Sequence, residues 1–154
     1  RDVLHSATEE QAADIRRLVI SSGINPIGLE WRRFIVAENG GGDVIGCGQL
    51  KPHRDGSMEL ASIAVEKNWR HQGIASAIIE RLIRSHDGDL YLMCRSNLGA
   101  FYEKFGFEVI LQKQMPPYFR LISKLANFFS SLVRREESLL VMRRVKDSKV
   151  RSNE

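Results

Sequence analysis

The apolar positions of this chain change period several times, and each change marks an element. Residues 3–5 read as a short opening strand. Thr8 then stands as a helix N-cap with Gln11 at the capping-box spacing, and Ala12, Ile15, Leu18 and Val19 follow at helical intervals. Ser21, Ser22, Gly23, Asn25 and Pro26 close that helix. Residues 28–33 fit neither period, and Trp31 is placed as the anchor of a loop or short helix. Residues 34–37 and 44–50 read as two strands joined by a turn at 39–42. A second turn at 52–56 leads into the strand Met58–Val65. Ile74, Ala77, Ile78 and Leu82, flanked by Ile79 and Ile83, form the apolar face of a helix over Ile74–Arg84. Asp87, Gly88 and Asp89 break the chain before the compact apolar run 90–94, a buried strand. Residues 98–105 predict a short helix closed by Gly106, and 107–111 another strand.

The segment that follows is unusual. After Pro116 and Pro117, a helix over 117–135 places Phe119, Ile122, Leu125, Ala126, Phe129 and Val133 on one face, with Leu121, Phe128 and Leu132 beside it. It can pack on its own domain, act as a substrate lid, form a dimer surface, or lie in a membrane interface. Residues 138–145 predict a last strand and 146–154 a frayed polar tail. With neither internal repeats nor a linker, 1–145 reads as one domain.

The junction between the strand Met58–Val65 and the helix Ile74–Arg84 carries the clearest chemistry. The first turn of a helix has N–H groups without internal partners and the positive end of the helix dipole. Gly73 stands there without a side chain, and Arg70 adds a cation. That combination suits a phosphate or pyrophosphate. Neither GxxxxGK[ST] nor GxGxxG occurs in the chain.

Composition narrows the class only a little. A chain of 154 residues suffices for one core, and 43% hydrophobic with 27% charged residues fits a globular protein. The net charge of +4 suits an anionic ligand but is not the basic stripe of a nucleic-acid binder. No apolar run approaches the roughly 20 residues needed to span a bilayer. Cys47 and Cys94 lie in apolar, strand-like runs and read as reduced core residues, with a disulfide between them left open. No Cys/His cluster has zinc spacing. Because the chain begins at Arg1, the expectation is a form shortened upstream. The compartment is read as cytoplasmic, with an organelle left open because a removed targeting segment leaves no trace.

The run R-H-Q-G-I-A at 70–75 resembles the R/Q-x-x-G-x-G/A signature of the GNAT superfamily, the acyl-CoA-dependent N-acyltransferases. A second family-like segment, F-Y-E-K-F-G-F, stands at 101–107. The order of elements, a meander followed by strand–helix–strand–helix–strand–strand, is α+β. The resemblance implies a GNAT fold, a mixed central sheet of about six to seven strands with helices on both faces. It covers nearly the whole chain, and only the helix near 117–135 exceeds a minimal member.

What the resemblance implies for the site can be stated residue by residue. Ile63, Ala64 and Val65 would lie along the pantetheine arm of acyl-CoA, whose amides pair with a strand edge. Backbone N–H groups of Gln72, Gly73, Ile74, Ala75 and Ser76 would hold the pyrophosphate, with Arg70 adding charge and His71 inside the turn. Transfer to an amine poses two proton problems, since the ammonium must lose a proton and the CoA thiolate is better released as a thiol. Glu59, where some members place a glutamate, is the candidate base; a surface charge or an ammonium-binding group are the alternatives. Tyr102 occupies the tyrosine of the family's F/L-Y-x-x-x-G-F segment and is the candidate acid, against a plain core aromatic. Many members carry a cofactor-binding Asn seven residues before that tyrosine. Here Arg95 has that spacing, and Asn97, five before, is the asparagine the resemblance offers for cofactor binding. His53 and Arg54 lie on a turn where they could guide an acidic substrate, with a solvated surface as the simpler account.

The resulting expectation is an N-acetyltransferase that moves an acetyl group from acetyl-CoA, its co-substrate, to a primary amine of a small molecule or protein by direct attack in a ternary complex, without a metal. Nucleic acid and a transmembrane segment are not expected, and a homodimer is left open. The rival reading is a non-catalytic acyl-CoA sensor or interaction module. Glu59 and Tyr102 together favour the enzyme, because a sensor needs neither proton-transfer group.

Overall fold

The computed structural model describes residues 3–133 and 138–146, with the backbone alone described for 130–133. Seven strands are hydrogen-bonded in the order β1-β2-β3-β4-β5-β7-β6. They are β1 (Val3–Ser6), β2 (Phe34–Glu38), β3 (Val44–Pro52), β4 (Met58–Val65), β5 (Leu90–Arg95), β6 (Glu108–Val109) and β7 (Leu139–Arg144). The sheet is mixed. β1–β2, β2–β3, β5–β7 and β6–β7 are antiparallel, and β4–β5 is parallel. The helices are α1 (Ala12–Ser21), α2 (Ile74–Arg84), α3 (Gly99–Glu103) and α4 (Pro117–Val133).

The chain divides into two compact units, Arg1–Lys51 with Leu60–His86, and Pro52–Glu59 with Asp87–Glu154. In the first, Ile15, Leu18 and Val19 of α1 join Phe34, Val36, Cys47 and Ala64 in one buried cluster, against which Trp31 packs. Trp31 itself opens a 3-10 turn over Trp31–Arg33, the short helical anchor expected of the unpatterned segment. The apolar face of α2 is buried at Ile74, Ile78, Ile79 and Leu82. That helix lies so close to β3 that a Cβ on Gly48 would stand 2.8 Å from Ile78, and one on Gly46 2.9 Å from Ile74. Two glycines in a buried strand, weak strand formers, are explained by this approach.

In the second unit, Ile110, Met115, Phe119 and Val141 form a cluster with Tyr91, Met93 and Tyr118 packed on it. Cys47 and Cys94 are both buried and free. Two expectations need correction. The strand expected over 107–111 shrinks to Glu108–Val109, because the Leu111 N–H turns to the Gln114 side chain, 2.9 Å away, and begins a 3-10 turn. The short helix expected over 98–105 is an α-helix only over Gly99–Glu103, entered by a 3-10 turn over Ser96–Leu98. The apolar face of α4 is covered only near its start. Phe119 is fully buried, while Leu125 and Phe129 are 45% and 58% exposed. Ser123 is buried in their place. Residues 134–135 of that expected helix, 147–154 of the expected tail and the side chains of Leu132 and Val133 fall outside the described residues.

Candidate active site

The first unit supplies the turn expected to bind an anion. Arg70, His71, Gln72 and Gly73 are exposed and lead into α2. The N-cap Gly73 has φ 82°, and His71 two residues earlier has φ 63°. Space around Gly73 is open, so a Cβ there would meet nothing within 4 Å. It would have to adopt a left-handed backbone, which costs an L-residue about 1–2 kcal/mol. The first intrahelical bond runs from the Ala77 N–H to the Gly73 carbonyl at 3.0 Å. The N–H groups of Ile74, Ala75 and Ser76 therefore have no intrahelical acceptor. The Ile74 side chain is buried, so only its backbone is offered to a ligand. Arg70 donates from Nε to the Val65 carbonyl at 3.0 Å, which ties the turn to the end of β4. Backbone donors, a helix dipole and an arginine fit a phosphate group.

β4 departs from regular extension just before the stretch expected to meet pantetheine. Ser62 has φ 60°, a costly conformation for a residue with a side chain. Buried Gln49 holds it, donating from Nε2 to Ser62 Oγ at 2.9 Å and to the Gly28 carbonyl at 3.3 Å. The Cys47 thiol adds a contact to the Ser62 carbonyl at 3.5 Å. Beyond this kink, Ile63 is half-buried and Ala64 and Val65 are buried, so what they can present is backbone.

The second unit holds the titratable groups. Glu59 is 6% exposed and lies in register with Tyr91 of β5. Its Oε1 pairs with His53 Nε2 at 2.8 Å, and the two side chains are only 8% and 9% exposed. The His53 ring stacks on Tyr118 with centroids 3.7 Å apart and meets the edge of Phe119 at 5.5 Å. Phe119 stacks in turn on Tyr91 at 5.3 Å. Asp55, on the turn between β3 and β4, accepts the Tyr118 N–H at 3.0 Å and the Ser57 hydroxyl and N–H. It thereby caps α4. Burial opposes ionisation of Asp55, but those hydrogen bonds and the nearby His53 outweigh it and hold the carboxyl below its usual range. Burial, with Glu59 close by, pushes the Tyr118 phenol up. His53 is thus no solvated turn residue, although Pro52 and Arg54 on either side of it are exposed.

Tyr102 sits on α3, half-buried, with its ring against the edges of Phe101 and Phe107 at 5.1 and 6.2 Å. Burial, with Cys94 beside it, pushes its hydroxyl up to about 12, so it stays protonated throughout the neutral range. Asn97 is exposed on the 3-10 turn between β5 and α3. Among the described residues no group of three or more His, Cys, Asp or Glu side chains could hold a metal ion.

Residues 30–109, more than half of the chain, match the family model described as "Acetyltransferase (GNAT) domain". The chain belongs to the GNAT acetyltransferase family. No curated protein sequence matches it significantly. Among solved structures, N-acetylglutamate synthase from Neisseria gonorrhoeae, complexed with coenzyme A and N-acetyl-glutamate, aligns over 95% of this chain with 16% identity and a TM-score of 0.72. This chain spans 35% of that enzyme. Rv2747 from Mycobacterium tuberculosis, in complex with CoA, is 21% identical, with 93% of this chain and 98% of that one covered and a TM-score of 0.71. The ribosomal-protein-S18-alanine N-acetyltransferase from Escherichia coli is 16% identical, with 95% and 94% covered and a TM-score of 0.67. At these identities the likeness is one of fold.

As a GNAT member, the chain carries two features that its sequence pattern left unseen. The Gln49–Ser62 clamp pairs residues on adjacent strands whose polar character stood out in neither. The His53–Glu59 pair has a spacing that looks like an ordinary turn; only the burial supplied by Tyr118 and Phe119, far along the chain, separates it from a surface contact.

Proposed function

We propose that this GNAT protein is an N-acetyltransferase that moves an acetyl group from acetyl-CoA to a primary amine by direct attack in a ternary complex. The observation that carries this reading is the turn 70–76, a left-handed Gly73 opening a helix whose first N–H groups have no intrahelical acceptor, inside the segment matched by the family model. In this reading the N–H groups of 72–76, with Arg70, hold the pyrophosphate, and the backbone of 63–65 meets the pantetheine arm. The thioester supplies an activated acyl group. The amine nitrogen forms the new C–N bond, the C–S bond breaks, and the nitrogen gives up a proton.

Glu59 takes that proton. Its burial beside His53 keeps water from competing for it. Tyr102 faces the departing sulfur in this scheme. A hydroxyl held near 12 is a weaker acid than an ordinary thiol. Its contribution is therefore a hydrogen bond that strengthens as negative charge develops on sulfur, more than a completed proton transfer. Two proton-handling groups in protected settings favour catalysis over a purely sensing role. Asn97, exposed on its turn, is assigned at most a peripheral contact with the cofactor.

The test is a panel of primary amines (amino acids, polyamines, and peptides with free α-amino groups), offered with acetyl-CoA while CoA thiol release is followed. At least one amine should raise release above acceptor-free hydrolysis, and the product should carry one added acetyl group. CoA binding without turnover on any amine would favour the sensor.

A further inference from the structure

A histidine stacked under an aromatic ring and paired to a nearly buried carboxylate is more than a turn residue. His53 meets Glu59 at 2.8 Å through Nε2. Tyr118 covers one face of its ring, and the edge contact with Phe119 restricts rotation. Tyr118 is placed in turn by its N–H bond to Asp55, only two residues from His53. Side-chain contacts run from Glu59 to His53, on to Phe119 and then to Tyr91, whose backbone lies in register with Glu59. A buried carboxylate needs such a partner, since leaving either member of a buried pair alone is strongly unfavourable.

We propose that His53 is a positioning residue for acetyl transfer, its Nε2–H fixing the Glu59 carboxylate in one orientation toward the incoming amine, with α4 holding the imidazole in place through Tyr118. This rests on the acetyltransferase reading above and extends it, because it makes the first turn of α4 part of the catalytic apparatus. Orientation is worth much in such a site, and a displacement of about 1 Å can cost on the order of 10²-fold in rate. Tyr118 and Phe119 here do for His53 what supporting residues do for any preorganised group.

The experiment uses acetyl-CoA and the best amine of the panel. His53→Ala should lower kcat by roughly 10- to 100-fold while KM for acetyl-CoA stays within about twofold. His53→Gln, which restores a side-chain N–H near the Nε2 position, should recover most of the loss. In a Glu59→Gln background, His53→Ala should cost less than about twofold more, because a residue acting through Glu59 has nothing left to position. Thermal unfolding with and without CoA checks that each variant is folded and binds. Equal kcat for wild type and His53→Ala overturns the proposal. So do multiplicative losses in the double variant, or a His53→Gln as impaired as His53→Ala, which would make the imidazole itself the proton carrier. If wild type turns over no amine at all, the acetyltransferase reading fails first and the positioning role falls with it.

Discussion

The turn at 70–76 and the His53–Glu59 cluster are built by opposite means. The turn at 70–76 is made of neighbours in sequence, works through backbone N–H groups, and is exposed. The cluster draws on residues 53, 55, 59, 91, 118 and 119, works through side chains, and is largely buried. An anion site has to be open and tolerant, because its ligand arrives hydrated and carries its own charge. A proton-handling site has to be closed and fixed, because its chemistry depends on orientation and on excluding water.

Substitutions should separate the two regions cleanly. The largest effect is expected from Glu59→Gln, which removes the base while keeping size and a hydrogen-bonding group. Steady-state assays should show kcat reduced about 10²- to 10⁴-fold with the CoA-induced thermal shift retained. Loss of that shift would mean that the cluster also shapes the cofactor site. Gly73→Glu should do the reverse. In wild type, CoA at 100 times its Kd should add about 2.7 kcal/mol of stability. The variant, measured against its own ligand-free form because φ 82° strains any side chain, should show almost none of it. An undiminished shift would remove the turn from the cofactor site.

Tyr102→Phe should come next, with kcat down roughly tenfold and CoA affinity little changed. The loss should shrink when the leaving thiol is more acidic, since such a sulfur departs without help. A wild-type rate in an assay limited by chemistry would make Tyr102 a packing residue only.

The smallest effect expected is on alkaline stability. Burial pushes Cys47 up to about 12 and Cys94 to about 11, and burial with Cys94 pushes Tyr102 to about 12. Above about pH 9 the unfolded chain loses protons that the folded chain keeps, so stability falls as pH rises. The melting temperature should hold to about pH 9 and then decline, less steeply in Cys47→Ala. A flat profile to pH 11 would mean that these groups ionise in the folded protein at their ordinary values.

How far each region was legible follows from its construction. α1, α2 and the long strands announce themselves because their apolar spacing matches one buried face. The turn at 70–76 was readable as a strand-to-helix junction because Arg70, Gly73 and the helix start lie within a few residues of one another. The His53 environment was not, because burial of a polar residue on a turn depends on a helix that begins more than sixty residues later. α4 shows the same limit in reverse. Its periodic face left packing, lid, dimer and membrane readings open, because periodicity only says which residues share a side. At Phe119 that side meets Ile110, Met115 and Val141, whereas Leu125 and Phe129 stay exposed. The Ser62 kink had no signal in the alternation of β4, since a serine fits a strand as readily as a bend.

The two cysteines have a practical consequence for any work with this protein. Cys47 is fully enclosed and Cys94 is 7% exposed, and neither ionises readily. Thiol-reactive dyes that detect released coenzyme should therefore see the coenzyme and not the protein. The same concealment turns each sulfur into a clock. One lies in each compact unit, so the rate at which a maleimide captures it under native conditions reports how often that unit opens.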